Sequence, residues 1–271
     1  PRNRLAQKPR MRTNKLLCAK ESLVPPRPET IPFQRFRGRI HDLKQHVQTV
    51  DVALVNAFKM MKAEPDKNKK IAEALGYSSK KYTELNHPIR VNPRILSHSK
   101  SSTHQYTIII LHTHFSEYVK GILSEIYKHD PLRVVGSHGG NIPYKRVVEL
   151  GDIDKINAEM IEAVFRKLEN QRSTQKLLDD ILNKGNATVD EAVKHRAMAY
   201  LEMRHLFIHS SGIADGEFVS KYSDIVPATE GSKLPLGYPL VESAIVAVRE
   251  LCKKADESML AGGYVAKRSG T

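Results

Sequence analysis

Arg204-His205-Leu206-Phe207-Ile208-His209, followed by Ser210-Ser211-Gly212, closes a long amphipathic run. The run opens at Thr188-Val189-Asp190-Glu191, a capping-box pattern: the Thr188 hydroxyl accepts from the amide three residues on, and Glu191 reaches back. Apolar residues then recur at Val189, Ala192, Val193, Ala199, Tyr200, Met203, Leu206 and Phe207, the spacing of one helical face. Gly212 is suited to stop that helix, because glycine enters the left-handed conformation without a steric penalty. The reading therefore places an arginine and a histidine on the last turns of a helix whose other side is core.

Working outward, the same period recurs on both sides. Ile40, Leu43, Val47, Val50, Leu54, Phe58 and Met61 predict a first helix over about 39–62, ended by Pro65-Asp66. Lys67–Leu75 is a short helix candidate, and the polar stretch 77–103 reads as a long loop or a small irregular subdomain. Thr107–His114 has two readings. A β-branched run ending in His112-x-His114 suits a buried strand carrying metal ligands, yet the apolar pattern continues through Phe115, Val119, Ile122, Leu123 and Ile126. That continuation favours a helix, with His112 and His114 on different faces. Asp154–Asn170, Thr174–Leu182, Phe218–Tyr222 and Leu240–Met259 complete the predicted helices. The glycine-rich Gly136–Asn141 lacks the Gly-Lys-Ser/Thr of a phosphate-binding loop and reads as a connection. The expected fold class is all-α: a basic, largely unstructured arm over 1–38, N-terminal helices and a polar loop over 39–103, and a helical core over 104–271.

The chain of 271 residues carries a net charge of +13, unevenly placed: the first 39 residues hold eleven Lys or Arg against two Glu. Pro25-Pro26-Arg27-Pro28 favours extended backbone there. Such a segment suits phosphate, because binding releases condensed counterions. Arg2, Arg4, Arg10, Arg12, Arg35, Arg37 and Arg39 are the candidate RNA contacts; the competing reading is a solvated arm that touches nothing. No apolar run approaches the roughly 20 residues of a membrane span. Cys18 and Cys252 form no metal or redox motif, and no apolar leader follows the basic start, so a reduced, cytoplasmic protein without a membrane partner is expected.

Arginine, a polar residue, three more positions and then histidine resembles the R-x4-6-H signature of the HEPN superfamily. Ser210–Asp215 is similar to the turn that follows the histidine in many members. The resemblance covers roughly residues 105–260. It implies a HEPN-like helical bundle, usually dimeric, acting as a metal-independent ribonuclease with Arg204 and His209 as catalytic residues. It also suggests a regulatory protein partner in a toxin–antitoxin or phage-defence setting. His205 occupies the polar position after the arginine, where it would orient the site, and Glu117 on the preceding helix is a second supporting candidate.

The residue types fit that chemistry. RNA is cut without a cofactor when its own 2′-hydroxyl attacks phosphorus, which needs a base, an acid and positive charge at the phosphorane. Histidine supplies the proton transfers near neutral pH, and the arginine fork matches phosphate oxygens. Five residues on a straight helix nevertheless set two side chains about 140° apart and about 7.5 Å along the axis. A fraying last turn would bring them closer, and so would a shared site between two chains, as the resemblance implies. Three alternatives stay open: a metal site of Glu202, His205 and His209, one ligand short; a non-catalytic HEPN-like module binding nucleotide or a partner; and a structural nucleic-acid-binding protein that acts through its arm.

Overall fold

The computed structural model describes residues 28–135, 141–169 and 174–267, and among them the chain is all-helical, with two isolated β-bridges and no strand. The helices are α1 (Ile31–Ala63), α2 (Ile71–Ala74), α3 (Ile95–His129), α4 (Pro131–Val135), α5 (Tyr144–Leu150), α6 (Ile153–Glu169), α7 (Thr174–Lys184), α8 (Glu191–His209), α9 (Gly216–Tyr222) and α10 (Tyr238–Gly262).

Helix α1 begins at Ile31, eight residues before the predicted start. The apolar period runs back through Ile40 to Phe36, Phe33 and Pro32, all buried, while Arg35, Arg37 and Arg39 occupy the exposed side. The basic run thus spills onto the solvated face of a core helix. Thr30 fixes the start: its hydroxyl accepts from the Phe33 amide at 3.2 Å. The same threonine donates from its amide, at 3.0 Å, and from its hydroxyl to the buried carboxyl of Asp256 on α10.

Helix α3 is also longer than its apolar stretch. Its first turns lie inside the predicted polar loop, where serine and threonine would ordinarily compete with the helix. Here their hydroxyls turn back onto the preceding turn: Ser99 donates to Ile95, Thr103 to Ser99 and Thr107 to Thr103, at 2.8–2.9 Å. With 35 residues, α3 is about 52 Å long. Pro131 and Asp130 end it.

Helices α1, α3, α8 and α10 form the bundle and alternate in direction. Asp51 meets Lys100 at 2.9 Å and Pro32 lies against Gly121, so α1 and α3 are antiparallel. A Cβ on Gly121 would come within 2.9 Å of Pro32, which is why the closest approach falls at a glycine. Lys44 pairs with Glu242 at 3.0 Å and Gln48 donates to the Tyr238 hydroxyl at 2.9 Å, which sets α1 antiparallel to α10. Across the bundle, α3 and α10 touch directly: the Tyr118 hydroxyl donates to the Cys252 carbonyl at 3.1 Å. Phe115, Ile122, Leu123 and Ile126 are fully enclosed, and each such side chain stabilises the fold by about 1.5–3 kcal/mol relative to exposure.

The core does not break at 103/104. Phe33, Phe36, Ile40, Leu43 and Val47 of α1 belong to the same cluster as α3, α8 and α10. A smaller cluster of Met61, Ile71, Ile89 and Leu96 sits where α2 and the following loop cover the far end of α1 and the start of α3. Helices α6 and α7 cover the bundle on one side; Lys120 of α3 pairs with Glu162 of α6, and Lys194 of α8 with Asp179 of α7 at 3.1 Å.

Candidate functional site at the end of α8

The start of α8 differs from the capping-box expectation. Asp190 is the cap: its carboxylate accepts from the amides of Ala192 at 2.9 Å and Val193 at 3.2 Å. Thr188 lies before the helix, and its amide donates to Ser258 on α10 at 2.9 Å. A carboxylate is the better acceptor at the positive end of a helix.

The other end carries the motif. The amides of Ser210 and Gly212 both donate to the Leu206 carbonyl at 2.9 Å, folding the chain back on itself. Ser211 and Gly212 both hold positive φ, 52° and 77°. A side chain on Gly212 would meet the Phe207 ring at 3.1 Å. The turn is then laced to 231–234: Ala214 donates to Ser232, Gly231 to Ala214 and Leu234 to Gly212, each at 2.9 Å. Asp215 caps α9 by accepting from the Phe218 amide at 2.8 Å. The end of α8 is therefore fixed rather than frayed.

Arg204 is half-buried on the side of α8 that faces α3, beside His112. His112 is buried, with Nδ1 3.4 Å from the Ser116 hydroxyl. Burial, with the charge of Arg204 adding, lowers its pKa to about 4. It is therefore neutral at pH 7, and Arg204 has a neutral neighbour. Arg204 forms no ion pair among the described residues. His205 and His209 are exposed one turn apart, their rings 4.7 Å between centroids and tilted by 45°. The site thus presents one uncompensated cation and two exposed imidazoles at a rigid helix end.

Glu202 lies one turn earlier and receives the Thr174 amide of α7 on Oε1 at 3.3 Å. It does not join the histidines: among the described residues no three His, Cys, Asp or Glu side chains are arranged to hold a metal ion. The same applies to His112 and His114, which face α8 and α1 respectively. Glu202, His205 and Leu206 form one wall of a cleft of about 340 Å³, completed by α9 and the start of α7.

Several expected contributors stand elsewhere. Glu117 does not support the motif; it pairs with Arg39 of α1 and lies 3.6 Å from His114. Its position on α3 falls on the α1 side, whereas His112 is on the α8 side. Tyr118 is core. Arg37 pairs with Glu29 at 2.9 Å. Arg39 is held by Glu117, and both line a separate cleft of about 440 Å³ between α1, α3 and α6 that Arg35 also borders. Arg2, Arg4, Arg10 and Arg12 lie outside the described residues, as do Gly136–Gly140 of the glycine-rich stretch. His112 is the neighbour that the motif did not reveal. It belongs to another helix far away in sequence, and its only local sign was a histidine inside an apolar run.

Comparison with protein-family models, with curated proteins and with solved structures returns no match for this chain. Among the described residues no helix is long and apolar enough to cross a membrane.

Proposed function

We propose that this chain is a metal-independent endoribonuclease of HEPN type, cleaving RNA through attack by its own 2′-hydroxyl. The observation that carries the reading is Arg204: a half-buried guanidinium without an ion pair among the described residues, next to a neutral histidine and on the same helix end as two exposed imidazoles. A cation paired to a carboxylate would have its charge spent inside the protein. An uncompensated one is free to bind a phosphate oxygen. His209 takes or returns the proton, and His205 orients the neighbouring ring.

A composite site between two copies completes the arrangement, because Arg204 and His209 leave the helix in different directions. Exposed apolar side chains support this. Tyr106 (62% exposed) and Ile110 lie on the outer face of α3, with Ile208 on α8 and Ile213 just beyond it. Ile208 and Ile213 border the motif, Tyr106 and Ile110 add exposed apolar surface on α3, and a second copy would cover them. The basic N-terminal segment would hold the RNA backbone.

The test is RNA cleavage in excess chelator by wild type, Arg204→Ala and His209→Ala. Wild type is expected to cleave and leave a 2′,3′-cyclic phosphate. Each variant is expected to lose about 10²–10⁴-fold while keeping its helical signal. Cleavage that disappears in chelator and returns with zinc or manganese would overturn the proposal.

A further inference from the structure

The cleft beside the motif has its own chemistry. Its floor is apolar, made by Leu206 of α8 with Phe218 and Tyr222 of α9, and its rim is polar. It continues past Tyr222 and Lys221 into a smaller hollow of about 200 Å³ that reaches His195. Of its carboxylates, Asp215 is occupied in capping α9, and Glu217 pairs with Lys221 at 2.7 Å. Glu202 is the exception. Its Oε1 receives the Thr174 amide, and its second oxygen has no hydrogen bond among the described residues. An apolar floor with an acceptor at its edge fits a flat heteroaromatic ring carrying N–H donors. The carboxylate also disfavours a phosphate in the same place.

His205 lines the cleft, and its ring lies 4.7 Å from that of His209, tilted by 45°. A nucleotide with its phosphate at His209, whose ring neighbours that of His205, has its own base beside this cleft. We infer that the cleft between α7, α8 and α9 is the base pocket of the substrate, and that Glu202 selects a nucleobase bearing an amino group on its Watson–Crick edge. The inference rests on the ribonuclease reading for its location but not for its test. A carboxylate accepts from the cytosine N4 amino group, whereas uracil presents a carbonyl oxygen there, so two acceptors would face each other. Single-stranded RNA is commonly read in this way, with an unstacked base laid on side-chain rings and bonded along its edge.

Free nucleosides make a clean probe, because they carry no phosphate for Arg204 or the basic arm to hold. Cytidine, adenosine, guanosine, uridine and N4,N4-dimethylcytidine would be titrated into the full-length protein and followed by NMR. The amino-bearing nucleosides are expected to bind at least about tenfold more tightly than uridine. Dimethylcytidine, which keeps the ring but lacks the N–H, should fall to the level of uridine. In wild type the Thr174 amide resonance should move with cytidine and not with uridine. Glu202→Gln should remove the preference. Equal binding of cytidine and uridine, full binding of dimethylcytidine, or absence of nucleoside binding each overturns the inference. RNA cleavage in chelator alongside absent nucleoside binding would leave the ribonuclease reading standing and this one lost. A cytidine preference in a protein that does not cleave would do the reverse.

Discussion

His112 shows how one buried side chain conditions the motif. Its folded pKa, about 4, lies below the ordinary histidine value of 6.5 because burial disfavours the imidazolium and Arg204 repels it. An unfolded chain therefore binds a proton at His112 before the folded chain does. The stability associated with neutral His112 is complete above pH about 6.5 and declines as pH falls towards about 4, by on the order of 3 kcal/mol in all. His104 and His114 are lowered too, chiefly by burial, so the whole protein should weaken in acid. The difference between wild type and His112→Phe isolates the one residue. Denaturant unfolding between pH 7 and pH 4.5 is expected to show a shallower acid decline in the variant. Parallel profiles would mean that His112 titrates normally.

At the scale of elements, the end of α8 depends on two successive residues in the left-handed region, of which only one is glycine. Ser211 bears a steric cost that Gly212 does not. The two positions should therefore respond in opposite directions. Gly212→Ala is expected to destabilise by about 1–2 kcal/mol, because alanine tolerates that φ poorly and its Cβ would press on Phe207. Ser211→Gly should be neutral or gain up to about 1 kcal/mol. Thermal unfolding measures both. If the turn also sets the direction of His209, Gly212→Ala will lose more cleavage than stability, whereas equal behaviour of the two variants would show that backbone conformation does not govern this end.

For the whole molecule, the expectation is a two-fold pair assembled over the motif face. A stable interface of standard size buries about 800 Å² per partner, and the exposed Tyr106, Ile110, Ile208 and Ile213 provide its apolar part. Sedimentation at the concentration used for cleavage should give twice the chain mass. Ile110→Glu combined with Ile208→Glu should yield a monomer with intact helical signal and no cleavage. A monomeric double variant that still cuts RNA would show that each chain holds a complete site. Mixing Arg204→Ala with His209→Ala protein under subunit exchange then distinguishes arrangements. Partial recovery means that the arginine of one chain serves the histidine of the other.

By itself the sequence determined the helical class, the position of α8, α6 and α10 to within a few residues, and the presence of Arg204, His205 and His209 at a helix end closed by Gly212. Periodicity and turn chemistry are local, so one stretch read alone reveals them. It misjudged the start of α1, where a dense basic run masked buried Phe33 and Phe36, and the start of α3, where hydroxyls bond back to the helix rather than compete with it. Only the tertiary structure decided which side chains meet. Crossing helices put His112 beside Arg204, gave Glu117 to Arg39, and set Glu202 at the rim of a cleft shared by three helices. Such pairings arise from packing between residues distant along the chain, and nothing in the spacing of either partner records them.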